Sequence, residues 1–144
     1  MARSVRLTGD FAKLNKWIKR IDNTPKVLAV IADNLAEESL DLIKDGFRTE
    51  TDPYGVKWPK LKFRKGKILQ DTARMRNSFH RKRVSKRGFV VGPGVTYAQF
   101  HQFGTSRGIP ARRMVPEGSR LPPKWKRRFV DTAREVLEAH YVKG

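Results

Sequence analysis

The segment from Pro25 to about Thr49 constrains the fold most, because its apolar residues recur at the spacing of a single helix face. Thr24 offers an N-cap hydroxyl and Pro25 suits the first helical position, so together they predict where the helix begins. The apolar stripe consists of Val27, Leu28, Ile31, Leu35, Leu42, Ile43 and Phe47. Acidic residues favour the opposite face, namely Asp33, Glu37, Glu38, Asp41 and Asp45. A narrow stripe on so long a helix predicts that it lies across a sheet or against a neighbouring subunit.

Shorter helices are predicted where a capping residue or a proline precedes apolar residues at helical spacing. The predicted segments are 10–21 with Asp10 as the cap, 73–79 with Asp71-Thr72 as the cap, 97–103 stopped by Gly104, and a last helix started by Pro122-Pro123. The last helix carries a second apolar stripe that includes Trp125, Phe129 and Leu137. These stripes predict a core built mainly from helix faces.

Strand-like segments flank the short turn Lys86-Arg87-Gly88. Residues 80–85 and 88–92 therefore predict a β-hairpin, and residues 109–115 predict a further strand. Residues 1–8 fit either a basic arm or a first strand. Since no repeat or linker divides the sequence, residues 1–144 are predicted to form one domain. The predicted class is α+β, with a small antiparallel β-sheet packed against the long helix and the C-terminal helix.

Charge is high and unevenly distributed. The chain carries 32 basic and 14 acidic side chains, a net of +18. Residues 57–87 hold 13 basic residues and one acid, a net of +12, whereas residues 33–50 hold six acids against Lys44 and Arg48, a net of −4. The electrostatic field of so positive a chain attracts polyanions and acidic protein surfaces. Two interpretations stay open: both regions are ordinary solvated faces, or the basic segment of one copy faces the acidic helix of the next in a head-to-tail ring.

A long basic loop follows the predicted turn Asp52-Pro53-Tyr54-Gly55. Its cations are interleaved with the predicted loop anchors Trp58 and Phe63. The candidate basic residues, facing either another subunit or DNA, are Lys57, Lys60, Lys62, Arg64, Lys65, Lys67, Arg74 and Arg76. The aromatic residues could stack on unpaired bases, could pin the loop to the core, or could place it against a neighbouring subunit. The candidate acidic interface residues are Glu37, Glu38 and Asp41.

No recognisable catalytic or cofactor motif is present, so no catalytic, metal or cofactor-binding residue is predicted. The sequence has no cysteine, and its histidines, His80, His101 and His140, are not at metal-ligand spacing. A protein without enzymatic activity is therefore expected. A small nuclease or toxin using His80 or His101 is the weakest alternative, and a general nucleic-acid-binding module is a stronger one.

Neither a membrane span nor a signal peptide is expected. The longest mostly apolar stretch, Val27 to Ile31, is far shorter than the roughly 20 residues that a spanning helix needs. The start Met1-Ala2-Arg3-Ser4 lacks an apolar signal core. We therefore expect a protein that is made and used in the cytoplasm, or assembled there into a larger structure, with no membrane partner.

Four blocks in order carry a family resemblance. The first block, Phe47–Leu61, has an acidic-proline-glycine-tryptophan pattern, and the second, Gly66–Ser78, contains a leucine, an aspartate-threonine pair and an asparagine-serine pair. The third block is Tyr97–Gly104, and the fourth is Ile109-Pro110-Ala111-Arg112. In these blocks the sequence resembles the phage virion-morphogenesis family, also called the tail-completion family, of Mu-like and related tailed phages. One departure follows the last block, where Arg113-Met114-Val115-Pro116 replaces the usual proline, aromatic residue and leucine.

The resemblance implies an α+β structural protein of the virion, acting at the head-tail junction without enzymatic activity. Related tail-terminator and neck proteins form hexameric rings around the DNA channel, so the resemblance implies a homohexamer. The implied partners are further copies of the chain, the tail tube protein and the neck or connector proteins. Non-specific contact with genomic double-stranded DNA in the channel is a further expectation.

Overall fold

The computed structural model describes residues 7–10, 25–62, 65–70, 73–118 and 120–141. Within these residues the chain forms strands and helices in mixed order. They are β1 (Leu7–Asp10), α1 (Pro25–Thr49), α2 (Arg74–Ser78), β2 (His80–Ser85), β3 (Gly88–Gly92), α3 (Ala98–Phe103) and α4 (Pro123–Tyr141). The predicted α+β class, with one long helix, a C-terminal helix and a small antiparallel sheet, is confirmed.

α1 is the central element, and its two faces differ as predicted. The apolar stripe is buried, with Ile31 and Phe47 completely inaccessible, while Asp33, Glu37 and Asp41 are exposed. Ser39 is also buried, and its hydroxyl donates to the Leu35 carbonyl at 2.8 Å. The helix therefore buries one polar side chain without leaving its hydroxyl unbonded. Thr24, the predicted N-cap, lies outside the described residues.

The sheet has the strand order β1-β3-β2, and both pairings are antiparallel. The predicted hairpin is confirmed, with Ser85 opposite Gly88 and Lys86-Arg87 as its two-residue turn. β1 begins at Leu7 and includes Asp10, which was predicted to cap a helix. The predicted segment from Phe11 to Ile21 lies outside the described residues.

The elements form two layers. α1 packs across β2 and β3, and α4 packs against α1. The Phe129 ring of α4 contacts the edge of the Phe89 ring of β3, with ring centres 6.0 Å apart. Trp125 lies one turn earlier and is also buried, so α4 closes the core that α1 and the sheet begin. The start of this last helix at Pro123 was predicted correctly.

Two local predictions need correction. Residues 109–115 are not a strand, because Gln102 rather than a neighbouring strand bonds the backbone of Met114 and Val115. α2 begins at Arg74 after Ala73, whose φ of 57° is left-handed and whose side chain gives no capping bond. The predicted capping pair, Asp71-Thr72, lies outside the described residues.

Candidate functional site

The loop that carries the candidate cations starts from a turn built around one aspartate. The Asp52 carboxylate accepts hydrogen bonds from the backbone N–H groups of Tyr54 at 2.8 Å and Val56 at 2.9 Å. Gly55 closes the turn by donating to the Asp52 carbonyl, and its φ of 90° is a conformation that favours glycine. The Tyr54 hydroxyl donates to the Glu117 carbonyl at 3.0 Å. The turn is therefore attached to a segment far away in sequence.

Trp58 attaches the start of the loop to the core. Its side chain is only 4% exposed, and its ring meets Phe47 edge to face with ring centres 5.4 Å apart. The indole N–H donates to the Arg113 carbonyl at 2.9 Å, which satisfies the one polar group of this ring. Because the ring is buried, Trp58 has no exposed face on which a base could stack. The second predicted anchor, Phe63, lies outside the described residues.

Two of the candidate cations bond the C-terminal end of α1. The ammonium groups of Lys57 and Lys67 each lie 3.4 Å from a carbonyl of the last turn, those of Thr49 and Arg48. Gln70 donates to the preceding carbonyl, that of Phe47, at 2.8 Å. Helix ends leave such carbonyls without partners, and the helix dipole favours positive charge there. Lys57 and Lys67 therefore serve the fold of this chain.

The other candidate cations are placed differently. Arg76 donates to the Gln70 side chain at 2.7 Å and so holds that amide against α1. The side chains of Lys60 and Lys62 are exposed and make no hydrogen bond or ion pair to the described residues. Lys65 and Arg74 are exposed as well, although each has an interaction within the chain. Arg64 lies outside the described residues. The structure thus divides the predicted basic set into cations that stabilise the fold and cations that project outward.

Arg112 hydrogen-bonds two carbonyls of the basic loop, a role that the sequence analysis did not assign to it. Its guanidinium is buried, with Nε donating to the Pro59 carbonyl at 2.9 Å and a terminal nitrogen to the Lys60 carbonyl at 3.2 Å. A planar guanidinium can bond two adjacent carbonyls at once, which an ammonium does not do as well. The available signal was the position of Arg112 at the end of the fourth sequence block.

Replacing Arg112 by lysine is expected to free the loop at residues 59–62 while leaving the fold intact. We expect a loss of about 1–3 kcal/mol in the free energy of unfolding, since hydrogen bonds to a charged group contribute about that much. Amide hydrogens near Lys60 should exchange faster in the variant. Arg113→Lys, at the exposed neighbouring position, is the matched control. Equal amide protection of residues 60–62 in both variants would contradict this role for Arg112.

The acidic face of α1 is largely neutralised within the chain. Arg81 of β2 pairs with Asp33 and with Glu37, the latter at 3.3 Å. Arg128 of α4 pairs with Glu38. Of the three predicted acidic interface residues, Asp41 alone is exposed without an ion pair to the described residues. Charge reversal at Glu37 or Glu38 would break internal pairs, so a test of intersubunit contact belongs at Asp41.

A surface with exposed aromatic rings lies at α3. Tyr97 and Phe100 are 37% and 46% exposed, and Ile109 is exposed in the loop that follows α3. α3 is anchored instead by Ala98 and Gln102, which are completely buried. Tyr97 and Phe100 are exposed because the smaller alanine and the hydrogen-bonded glutamine occupy the inner face of the helix.

Gln102 is the polar centre of this region. Its amide oxygen accepts from the backbone N–H groups of Met114 at 2.7 Å and Val115 at 3.2 Å. Its amide nitrogen donates to the Val115 carbonyl at 2.9 Å and to the Glu117 carboxylate at 3.1 Å. One side chain therefore supplies the hydrogen bonds that a neighbouring strand would otherwise give to residues 114–115.

The histidines do not form a joint site. A ring nitrogen of His80 lies 2.9 Å from the Ser78 carbonyl. Burial lowers the pKa of the His101 imidazole below its usual value, and the Arg112 charge lowers it further. Within the described residues, no group of three or more histidine, aspartate or glutamate side chains is arranged to hold a metal ion. No helix in that part of the chain is long and apolar enough to cross a bilayer.

Comparison with known proteins gives one match. Neither a curated protein nor a solved structure matches the chain significantly. The profile of the phage virion morphogenesis family matches residues 9–139, which is 131 of the 144 residues. This match covers all four sequence blocks and confirms the resemblance stated from them. The chain belongs to the phage virion morphogenesis family.

Proposed function

We propose that this protein completes the phage tail and joins it to the head, as a homo-oligomeric ring around the DNA channel. The observation that carries the proposal is the family match over residues 9–139, which supports a structural protein of the bacteriophage virion. A ring of six copies is our proposal for the assembly. Its partners would be the tail tube and the neck or connector proteins at the head-tail junction.

The buried polar residues support a role based on shape. Arg112, Gln102 and Ser39 are each buried, and each bonds backbone groups of the same chain. The Arg112 bonds fix the basic loop to the segment before α4, and the Gln102 bonds fix residues 114–115 against α3. Fixed loops suit a subunit that presents defined surfaces to several neighbours at once.

The exposed aromatic residues of α3 suit a contact between subunits. Aromatic side chains are enriched in protein interfaces, where a large rigid ring buries much surface at low entropic cost. Tyr97 and Phe100 lie three positions apart and therefore on the same side of the helix. We propose that this surface meets the next copy in the ring.

Replacing Phe100 by glutamate is expected to shift the protein from oligomer to monomer, since a charge would be buried without a partner in the contact. The control is Val130→Glu on α4, because Val130 has the same exposed fraction of 46%. Sedimentation and native mass spectrometry would give the number of copies for each. A wild-type protein that is monomeric at assembly concentrations, or equal dissociation of both variants, would overturn the subunit contact.

The joining role is tested in phage that lack this protein. We expect filled heads and separate tails in the lysate, with joining restored by wild-type protein and not by Phe100→Glu. Electron microscopy of labelled particles should place the protein between head and tail. Normal yields of complete infectious particles without the protein would contradict the proposal.

A general nucleic-acid-binding module is the second candidate, favoured by the exposed cations Lys60 and Lys62. The buried position of Trp58 weakens the version of this candidate in which loop aromatics stack on bases. The remaining version of this candidate is electrostatic attraction between these lysines and nucleic-acid phosphates, which does not depend on base sequence.

A further inference from the structure

Four cations on the β2–β3 hairpin have no function in the fold described above. We name Lys82, Arg83, Lys86 and Arg87 the cationic hairpin. All four are exposed, and none forms an ion pair with the described residues. No acidic residue occurs anywhere from Thr72 to Pro116 in the sequence. The cationic hairpin is therefore a concentrated run of positive charge, with Asp10 of β1 paired opposite Gly88 beside its turn. It contrasts with Lys57 and Lys67, which bond the end of α1.

A β-bulge in β2 determines which residues of this strand face α1. Arg81 pairs with Val91 and Val84 pairs with Phe89, two core residues of β3, so both lie on the face that α1 covers. Residues three apart in a regular strand would point to opposite faces. The register shift between Arg81 and Arg83 inserts one extra residue, Lys82, and so brings Arg81 and Val84 to the same face.

The position of Arg83 follows from the same register. It is paired with Val90, between the inward-facing Phe89 and Val91, and therefore lies on the face opposite α1. β2 is an edge of the sheet, since its one described partner strand is β3. Its outer edge thus offers backbone groups beside a row of cations.

We propose that the cationic hairpin binds the phosphate backbone of double-stranded DNA. β2 has six residues and is about 20 Å long, comparable with about six base-pair steps. Cations spread over that length can reach several phosphates along one duplex. The inference concerns the single chain and does not depend on ring assembly.

The partner of this hairpin is a polyanion rather than another copy of the chain. Each copy carries a net charge of +18, so a second copy would bring mainly like charge. The most concentrated acidic surface, on α1, is already paired with Arg81 and Arg128. DNA supplies dense negative charge, whereas no ion pair to the described residues neutralises the four cations.

Binding should be independent of base sequence. A DNA major groove admits a two-stranded β-ribbon, but β3 is also paired with β1 along Leu7–Asp10. The hairpin is thus part of a wider, three-stranded sheet that does not fit the groove as a free ribbon. It would instead lie on the backbone, where contacts carry no base information.

The test compares two variants with the same charge loss on a short DNA duplex of mixed sequence. The hairpin variant carries Lys82→Gln, Lys86→Gln and Arg87→Gln. The control carries Lys124→Gln, Lys126→Gln and Arg127→Gln, three exposed positions on α4. Both variants have a net charge of +15 in place of +18. Circular dichroism and sedimentation establish that each keeps the fold and assembly state of the wild type.

Fluorescence anisotropy would be measured from about 50 to about 200 mM salt. We expect the hairpin variant to bind about tenfold more weakly or worse at low salt. Its log–log salt slope should be shallower by about 2.7, because each phosphate that a cation neutralises adds about 0.9 to that slope. The α4 variant should stay near wild type.

No wild-type binding at low salt, or equal losses in both variants, would overturn the proposal. The proposal would also be overturned if poly-glutamate competed for the protein as effectively as unlabelled DNA, since that result indicates an acidic protein partner. Loss of ring assembly with DNA binding retained would affect only the proposed joining function.

Discussion

Replacing Gln102 by leucine is expected to lower the free energy of unfolding by about 4 kcal/mol. Leucine nearly fills the space but leaves the buried backbone of Met114 and Val115 with two N–H groups and one carbonyl unbonded. Each such group costs about 1–3 kcal/mol when its partner is removed. For a chain of this size the melting temperature should fall by about 12 °C. Urea and thermal unfolding followed by circular dichroism measure both quantities.

Gln99→Leu is the matched control, because Gln99 is on the same helix, is partly exposed, and its side chain makes no hydrogen bond to the described residues. Its effect should stay within about 0.5 kcal/mol. Gln102→Glu keeps the acceptor oxygen but places a carboxylate against the Val115 carbonyl and the Glu117 carboxylate. A loss at least as large as that of Gln102→Leu is expected, because a buried charge would lie beside a like charge. Equal stability of Gln102→Leu and wild type would remove Gln102 from the centre of this region.

Replacing Trp58 by alanine is expected to cost about 4 kcal/mol, the range for truncating a large buried aromatic residue. The change removes the contact with Phe47 and leaves the Arg113 carbonyl without its indole donor. Trp58→Phe keeps most of the ring and should cost about 1–2 kcal/mol through the missing hydrogen bond. Circular dichroism is the suitable probe, since the substitution removes one of the three tryptophans.

The comparison of the two Trp58 variants also tests what the residue does. A stacking surface for nucleic acid would leave stability almost unchanged in Trp58→Ala and would weaken DNA binding. A core anchor predicts the reverse. Near-wild-type stability of Trp58→Ala would therefore contradict the buried position of the ring.

The long elements could be predicted because periodicity and caps act locally. α1 repeats its apolar stripe over 25 residues, and the hairpin has a turn of two polar residues between two strand-like segments. α4 begins at the predicted proline. In each case, neighbouring residues in sequence carry the whole signal.

The polar centres could not be predicted in this way. Gln102 bonds a segment 12 to 15 residues away, and Arg112 bonds carbonyls 52 and 53 residues away. A polar residue in an apolar helix pattern is normally assigned to the surface, since burial depends on partners that the pattern does not contain. The wrong strand at 109–115 has the same origin, because a side chain provides the bonds that a strand was expected to receive.

The charged residues show the same limit. The sequence analysis assigned the acidic residues to one helix and the cations to one loop, and considered that the two make contact between neighbouring copies of the chain. In the structure Arg81 and Arg128, outside that loop, neutralise most of the acidic face, while Lys57 and Lys67 bond carbonyls. The partner of a surface charge depends on which elements lie side by side, so net charge by segment does not determine it.

The bonds between the loop and the last turn of α1 have a consequence for motion. Three successive carbonyls, those of Phe47, Arg48 and Thr49, accept from Gln70, Lys67 and Lys57. The loop therefore cannot move outward without breaking these three hydrogen bonds, and we expect the loop and the helix end to open together. A neighbouring protein that binds the loop would therefore also restrain the end of α1, and its binding would reduce the mobility of the central helix of the molecule.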